Sequence, residues 1–447
     1  MSNNNEVITM KRILLCTLAL LFLASEGGAQ TVYNNYQHLI GARGASMGGA
    51  FTALADDSSA LWYNPAGLAR VKTPTLNVAA NSYNYYKQDI SGYNEFQRAD
   101  GSYDSLDVSF EDYSVVANTL SYAMRVGEKS AIAAGLFVPY QSSLTAQGKV
   151  VTTGPTMLID ADVQLVLNEK FYMGMLGFGT QLFDWLNIGV SACYGLNRYN
   201  LEIQTNVLLS LLPLPPASNI LFTTDQRTVR EQQTLHGGLG AQILLGGGNS
   251  IGIYGQTPAF RVSGRVKEEI KSKSSIAGMT VTSDREPLKD EIGGRVLPGF
   301  LSIGYGYERT NSWGVSIEAV PVFTSETNDN AVINFKAGFE FFLAETLILR
   351  GGFFTDFSQM DDVTVKSRNK EQWDYYGGTV SMVIGKAIGG GADSRPSMSW
   401  TTIGVVQRLG YGKMQLYRAD ETMSQTKRVK EETQSSISVF IAETISF

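Results

Sequence analysis

GARGASMGGAFTALADDSSALWYNPAGLARV, residues Gly41 to Val71, is the stretch on which the reading of the whole chain turns. It is rich in glycine and alanine, carries little net charge, and holds Asp56-Asp57-Ser58-Ser59 followed by Asn64-Pro65-Ala66-Gly67. The last four suit a type I turn position by position: Asn at the first corner, Pro presetting φ at the second, Gly at the fourth. Asp56 to Ser59 supply side chains that cap a short helix or close a second turn. Such a segment folds into compact turns. It is too short and too poor in large apolar residues to stand as a domain, so something must enclose it.

The ends show what kind of chain does so. After Met10 come Lys11-Arg12, an apolar run from Ile13 to Ala24, and small residues at Gly27 and Ala29. That order is a secretory signal, residues 1–29, too short to span a bilayer. Beyond it Cys193 is the one remaining cysteine, so no internal disulfide holds the exported chain. The formal charge of -6 implies no nucleic acid or other polyanion as partner. Aromatic residues make up 11% and charged residues 17%, below the usual quarter. No apolar run is long enough for a transmembrane helix. An exported, aromatic, glycine-rich chain of this kind points to an outer-membrane β-barrel, with a soluble periplasmic β-protein as the alternative.

After Val71 the dominant period is two. Leu301, Ile303, Tyr305 and Tyr307 alternate with Ser302, Gly304, Gly306 and Glu308. Leu186 to Leu196 alternate likewise with Asn187 to Asn197. One face is apolar and the other small or polar, as in strands with lipid outside and a lumen inside. About fourteen such segments fit an antiparallel transmembrane barrel over residues 72–447. Short turns fall near Glu128 and Asp184, and polar loops are expected at 84–112, 142–159, 208–228, 271–293, 358–373 and 416–434. Residues 30–71 lack this period and form the one non-barrel piece, a plug, or hatch, expected inside the lumen. The chain ends on Phe447, in phase with Ile445, Ile441, Val439 and Ile437. This looks like the C-terminal targeting strand that the barrel-assembly machinery reads; Glu443 departs from it.

Catalysis and metal binding are poorly supported. His38 and His236 are the two histidines, and neither stands beside a nucleophile in sequence. His236 is in phase with Arg230, Gln232, Thr234 and Gln242, which makes it a polar lumen residue. Ligand clusters for a metal are missing apart from Asp56-Asp57, better read as turn-formers. The glycines at 41, 44, 48 and 49 do not space as a nucleotide loop, and no cofactor is implied. The informative departures are elsewhere. In 129–141 and 160–182 both faces are apolar, so part of the lumen wall is apolar; Phe137, Leu176 and Phe178 are the candidates, opposite Phe51 and Trp62 of the plug. Pro139 interrupts a strand and belongs at a bulge or kink. The segment 208–222, with Leu208, Leu209, Leu211, Leu212, Leu214 and Phe222, is unusually apolar for an exposed loop and needs bilayer, a protein or a greasy ligand against it.

On these residues the chain resembles the long-chain fatty-acid transporter family of bacterial outer membranes (FadL/TodX): residues 41–69 with Asn64-Pro65-Ala66, Pro139 in the third strand, and terminal Phe447. The resemblance implies a 14-stranded barrel with an N-terminal hatch. It also implies passive uptake of fatty acids or aromatic hydrocarbons, an outer capture groove for which 208–222 is the candidate, and sideways exit into the bilayer at a kink in the third strand, with Pro139 at the equivalent place. Gly48 and Gly49 would let the hatch backbone shift. A related PorV-like branch shares hatch and barrel but binds a protein partner in secretion or surface attachment, and the apolar loop suits either. Export itself is checked by N-terminal sequencing of membrane-extracted protein: the expected start is about Gln30, and a start at Met1 or Met10 would overturn it.

Overall fold

The computed structural model describes residues 39–97, 102–153, 157–211, 220–276, 279–285, 297–324, 330–367, 371–388, 397–419 and 425–447. Sixteen strands follow a short helical segment: β1 Thr75–Gln97, β2 Tyr103–Arg125, β3 Ser130–Thr153, β4 Met157–Phe183, β5 Leu186–Leu211, β6 Ile220–Gly246, β7 Asn249–Gln256, β8 Phe260–Ile276, β9 Met279–Arg285, β10 Phe300–Arg309, β11 Trp313–Val322, β12 Val332–Ala344, β13 Leu347–Asp356, β14 Glu371–Ile388, β15 Ser397–Ala419 and β16 Gln425–Ser446. Successive strands pair antiparallel, β1 closes on β16 and β5 on β6. The chain of β7 and β8 runs along β6 in two parts, interrupted at Thr257, Pro258 and Ala259. β10 takes up the ladder beside β7, while β8 and β9 stand outside the ring, which therefore has 14 strands. Closure gives every strand of the ring a neighbour on both sides, the arrangement that lets backbone N–H and C=O groups lie in hydrocarbon.

Side-chain alternation agrees with that closure. In β5 the buried face is Asn187, Gly189, Ser191, Cys193, Gly195 and Asn197, and Ile188, Val190, Ala192 and Tyr194 are exposed. The outward belt continues through Leu120, Leu136, Leu239, Ile317, Phe335, Val380 and Ile441, a surface that water would not cover but lipid does. Glu443, the charge within the last strand, accepts hydrogen bonds from Thr401 Oγ1 (2.7 Å) and from Ser399 Oγ. The strand end is also fixed by Phe447 N–H, which donates to Pro74 O at 3.0 Å.

Strand lengths depart from the sequence reading. The stretches 84–112, 142–159, 208–228 and 416–434, expected as loops, are largely strand in β1 to β6, β15 and β16. Their ladders run on beyond the bilayer, where an outward face needs no apolar residues, so the two-residue hydrophobic signal disappears while pairing persists. β10, β11 and β13, each 10 residues, have only the length that a tilted strand needs to cross. The wall is thus tall around β14 to β16 and β1 to β6, and low from β10 to β13.

The N-terminal segment contains α1 (Arg43–Ser46), α2 (Ala60–Tyr63) and a 3-10 helix (Pro65–Arg70). Between the first two, Gly48 and Gly49 turn the chain with φ of 65° and 80°, the left-handed region that glycine enters at no steric cost. Labelling checks the orientation of the ring. A cysteine at Lys273, exposed beyond β6, is expected to react with an impermeant maleimide on intact cells, and one at Glu128 in the short β2–β3 turn is not; the reverse would invert the barrel.

Candidate functional site

Residues 39–71 lie against buried-face residues from strands on opposite sides of the ring, and the two sides differ in chemistry. Toward β10 to β13 the contacts are charged. Arg43 donates to Asp56 (2.9 Å), to Glu308 of β10 (2.8 Å) and to both oxygens of Glu340 in β12. Glu340 also accepts from Arg350 at 3.0 Å, and Arg70 reaches Glu308 at 3.2 Å. Burial disfavours the Arg43 charge, but Glu340, Asp56 and Glu308 outweigh it and raise its pKa well above the ordinary value. Asp57 shifts the other way in stability terms: burial first, then Asp56, raise its pKa, against hydrogen bonds from Ser59. Glu318 accepts from Thr52 N at 3.1 Å and pairs with Lys336 at 3.3 Å.

Asn64 is where the local turn becomes a tertiary contact. Its Oδ1 accepts from Ala66 N (3.1 Å), capping the 3-10 helix, and Gly67 N–H closes the turn on Asn64 O at 2.9 Å. Its Nδ2 donates to Thr52 O (2.9 Å) and to Ala241 O of β6 (3.0 Å). Gln242 adds bonds to Ala53 O and Ala55 O. A Cβ on Gly189 would overlap Pro65, and one on Gly352 would overlap Met47; glycine is required there because backbone meets backbone.

Toward β3 to β5 the contacts are apolar. Leu61, Tyr63 and Leu68 share a core cluster with Phe137, Tyr140, Phe171, Met173 and Met175, with Trp62 packed against it. The Trp62 and Phe137 rings lie 5.4 Å apart. Just beyond Phe137 the wall is interrupted. β2 and β3 are in register over 107–112 with 144–149 and again over 119–125 with 131–137, and 113–118 and 138–143 between them carry no registered pair. On the other side β3 bulges against β4 between Phe137 and Tyr140. Pro139 sits in this bulge, where its missing N–H costs no ladder bond. Asn118 and Thr119, at the β2 edge of the gap, hold Leu39 O (2.8 Å) and Gly41 N (3.0 Å).

A cavity of about 90 Å³ opens above the segment, lined by Ile40, Trp62, Tyr254, Phe300, Val322 and Phe354 with Gln256, Asn334 and Lys336. Trp62 therefore faces the cavity on one side and Phe137, beside the β2–β3 gap, on the other.

Of the residues singled out in the sequence, Phe51, Trp62, Asn64, Pro65, Ala66, Gly67 and Phe137 come together here. Leu176 and Phe178 do not: they point outward with 66% and 40% exposure, and Met173 and Met175 take the inner face of β4. Where both faces are apolar, alternation cannot say which is inside. At the two ends of the 208–222 stretch the described residues are strand: Leu208, Leu209 and Leu211 are in β5, Leu209 fully buried, and Phe222 is in β6, paired with Val207. Leu212 and Leu214, like His38, lie outside the described residues. Phe447 follows the last strand and is exposed. The inward carboxylates Glu308, Glu318 and Glu340 were not singled out, although charged residues on the small face of a membrane strand are a recognisable signal.

No protein-family profile matches the chain, and no curated protein matches it. Among solved structures, a FadL homologue from Pseudomonas aeruginosa superposes over 93% of this chain and 100% of its own, at 10% identity and a TM-score of 0.59. The chain has the FadL fold. The toluene transporter TodX of Pseudomonas putida (13% identity, 93% and 100% covered, TM-score 0.47) and the monoaromatic hydrocarbon channel CymD (15%, 93% and 99%, 0.43) also match. On this FadL fold, the charged anchor makes a graded prediction. Glu340→Gln leaves Arg350 deeply buried without its carboxylate and is expected to cost about 3–5 kcal/mol, read as a lower melting temperature of the folded barrel. Glu308→Gln, at a quarter-exposed site, is expected to cost less than about 1 kcal/mol. Equal effects would refute the burial argument.

Proposed function

We propose that the protein is an outer-membrane channel for passive uptake of hydrophobic small molecules, with residues 30–71 as its plug and sideways exit into the bilayer beside Pro139. The interruption of the β2–β3 ladder supports this reading: the apolar side chains Trp62, Phe137 and Tyr140 pack beside it, and Asn118, a polar group at its edge, is bonded to Leu39 O. An aliphatic solute gains roughly 0.8 kcal/mol per CH₂ by staying out of water, so release into lipid is favoured over release into the periplasm. At the edge of the interruption Asn118 donates to Leu39 O and Thr119 accepts from Gly41 N–H, so strand groups there are met by the segment rather than by hydrocarbon.

The two-sided attachment supplies the gate. Arg43 and its carboxylates hold the segment on β10 to β13, where movement would strand charges. The contacts near β3 are van der Waals contacts that re-form after a small shift. Trp62 is the side chain that must swing for the cavity to join the gap, with the turn at Asn64-Pro65 behind it.

Uptake of a labelled fatty acid or alkylbenzene by cells with matched outer-membrane levels tests this. Wild type is expected to confer uptake, Pro139→Ala and Asn64→Ala to reduce it, and Trp62→Ala to raise it. Absence of uptake for every such compound would end the channel reading and leave a protein-binding barrel. Uptake unchanged in all three variants would keep the channel and remove the gate and exit.

A further inference from the structure

The buried face of the ring between β5 and β7 carries polar groups that the channel reading does not use. His236, Thr234 and Gln232 follow one another on the inner face of β6, opposite Cys193, Gly195 and Asn197 of β5. Gln256 of β7 stands opposite Gly238, the next inward position below His236. All are nine-tenths buried or more: Gln232 1%, Thr234 2%, His236 5%, Asn197 8% and Gln256 8%. Among the described residues no hydrogen-bond partner exists for either nitrogen of His236, either amide atom of Gln232, Thr234 Oγ1, Asn197 Oδ1 or Gln256 Nε2. Asn197 Nδ2 donates to Glu169 (3.0 Å), and Gln256 Oε1 accepts from Tyr254 Oη (3.3 Å).

Proteins rarely bury so many unpaired donors and acceptors in one place, because each forfeits its bonds to water. They form a continuous track. Its lower end, Gln256, lines the cavity, and it climbs through His236 and Thr234 to Gln232 and Asn197, away from the short β6–β7 turn. The track residues themselves offer both donors and acceptors and carry no charge. At its upper end a cation, Arg230 over the Tyr199 ring at 4.8 Å, and an anion, Glu169 on Asn197, offset one another. Cations at and beside the cavity are already matched, Lys336 by Glu318 at 3.3 Å and Arg408 by Asp356 at 2.9 Å. A carboxylate entering there would meet Glu318 and Asp356 as well. A plain hydrocarbon would displace water from the track and return no hydrogen bonds.

We propose, building on the channel reading, that the ligand is a neutral amphiphile: an apolar body carrying a hydroxyl or similar head that both donates and accepts hydrogen bonds. The head pairs with Gln232, Thr234, His236 and Gln256 in succession while the body lies against Trp62, Phe300 and Phe354. A site built to pair a hydroxyl rejects the analogue that lacks it, since its own groups are then left unpaired.

The full-length protein in phosphatidylcholine nanodiscs, with empty nanodiscs as reference, tests this by competition between 1-dodecanol, dodecane and dodecanoate at pH 8. The alcohol is expected to bind at least about tenfold more tightly than the other two. Gln232→Leu with His236→Leu is expected to bring the alcohol down to the alkane and leave the alkane unchanged. Thr234→Val, nearly isosteric, should remove part of the preference with the fold intact. Equal binding of alcohol and alkane, or tightest binding of dodecanoate, would overturn the neutral-head proposal while keeping the channel. Binding of no probe above empty nanodiscs would overturn both.

Discussion

A guanidinium taken out of water must find carboxylates, and Arg43 finds three. One comes from its own segment, Asp56, and two from strands far along the chain, Glu308 and Glu340. Glu340 is fully buried and shared with Arg350, so the register of β12 against β13 and the seat of α1 depend on one another. Breaking such a cluster from one side leaves an uncompensated charge, which is far more costly than the intact pair is stabilising. The remaining contacts of the segment are arranged around this fixed point.

On the far side the same segment rests on side chains that carry no charge, against a wall that is itself incomplete. The glycines at 189 and 352 let the segment's backbone approach the strands directly. The segment is thus held by charged contacts on one side and by apolar packing on the other. On that apolar side lie the bulge at Pro139 and the interruption of the β2–β3 register. The buried polar groups on β5 to β7 give that part of the inner face a chemistry different from the apolar packing at β3 and β4.

The amino-acid sequence by itself determined the class of the fold. Period-two alternation, the terminal Phe447, and the compact turns at Asn64-Pro65-Ala66-Gly67 follow from local steric and solvation rules, and they read the same in any context that provides lipid outside. Pro139 was legible for a similar reason, since a residue without an N–H must sit where no ladder bond is due. Tertiary structure alone decided the rest. Leu176 and Phe178 turned outward because in β4 both faces are apolar and only closure of the ring fixes which of them is the lumen. The tall strands between 84 and 112 were hidden because pairing outside a membrane needs no hydrophobic face. The partners of Arg43 and the line from Gln256 to Asn197 join residues of different strands, and a periodicity says which way a side chain points but never what it meets.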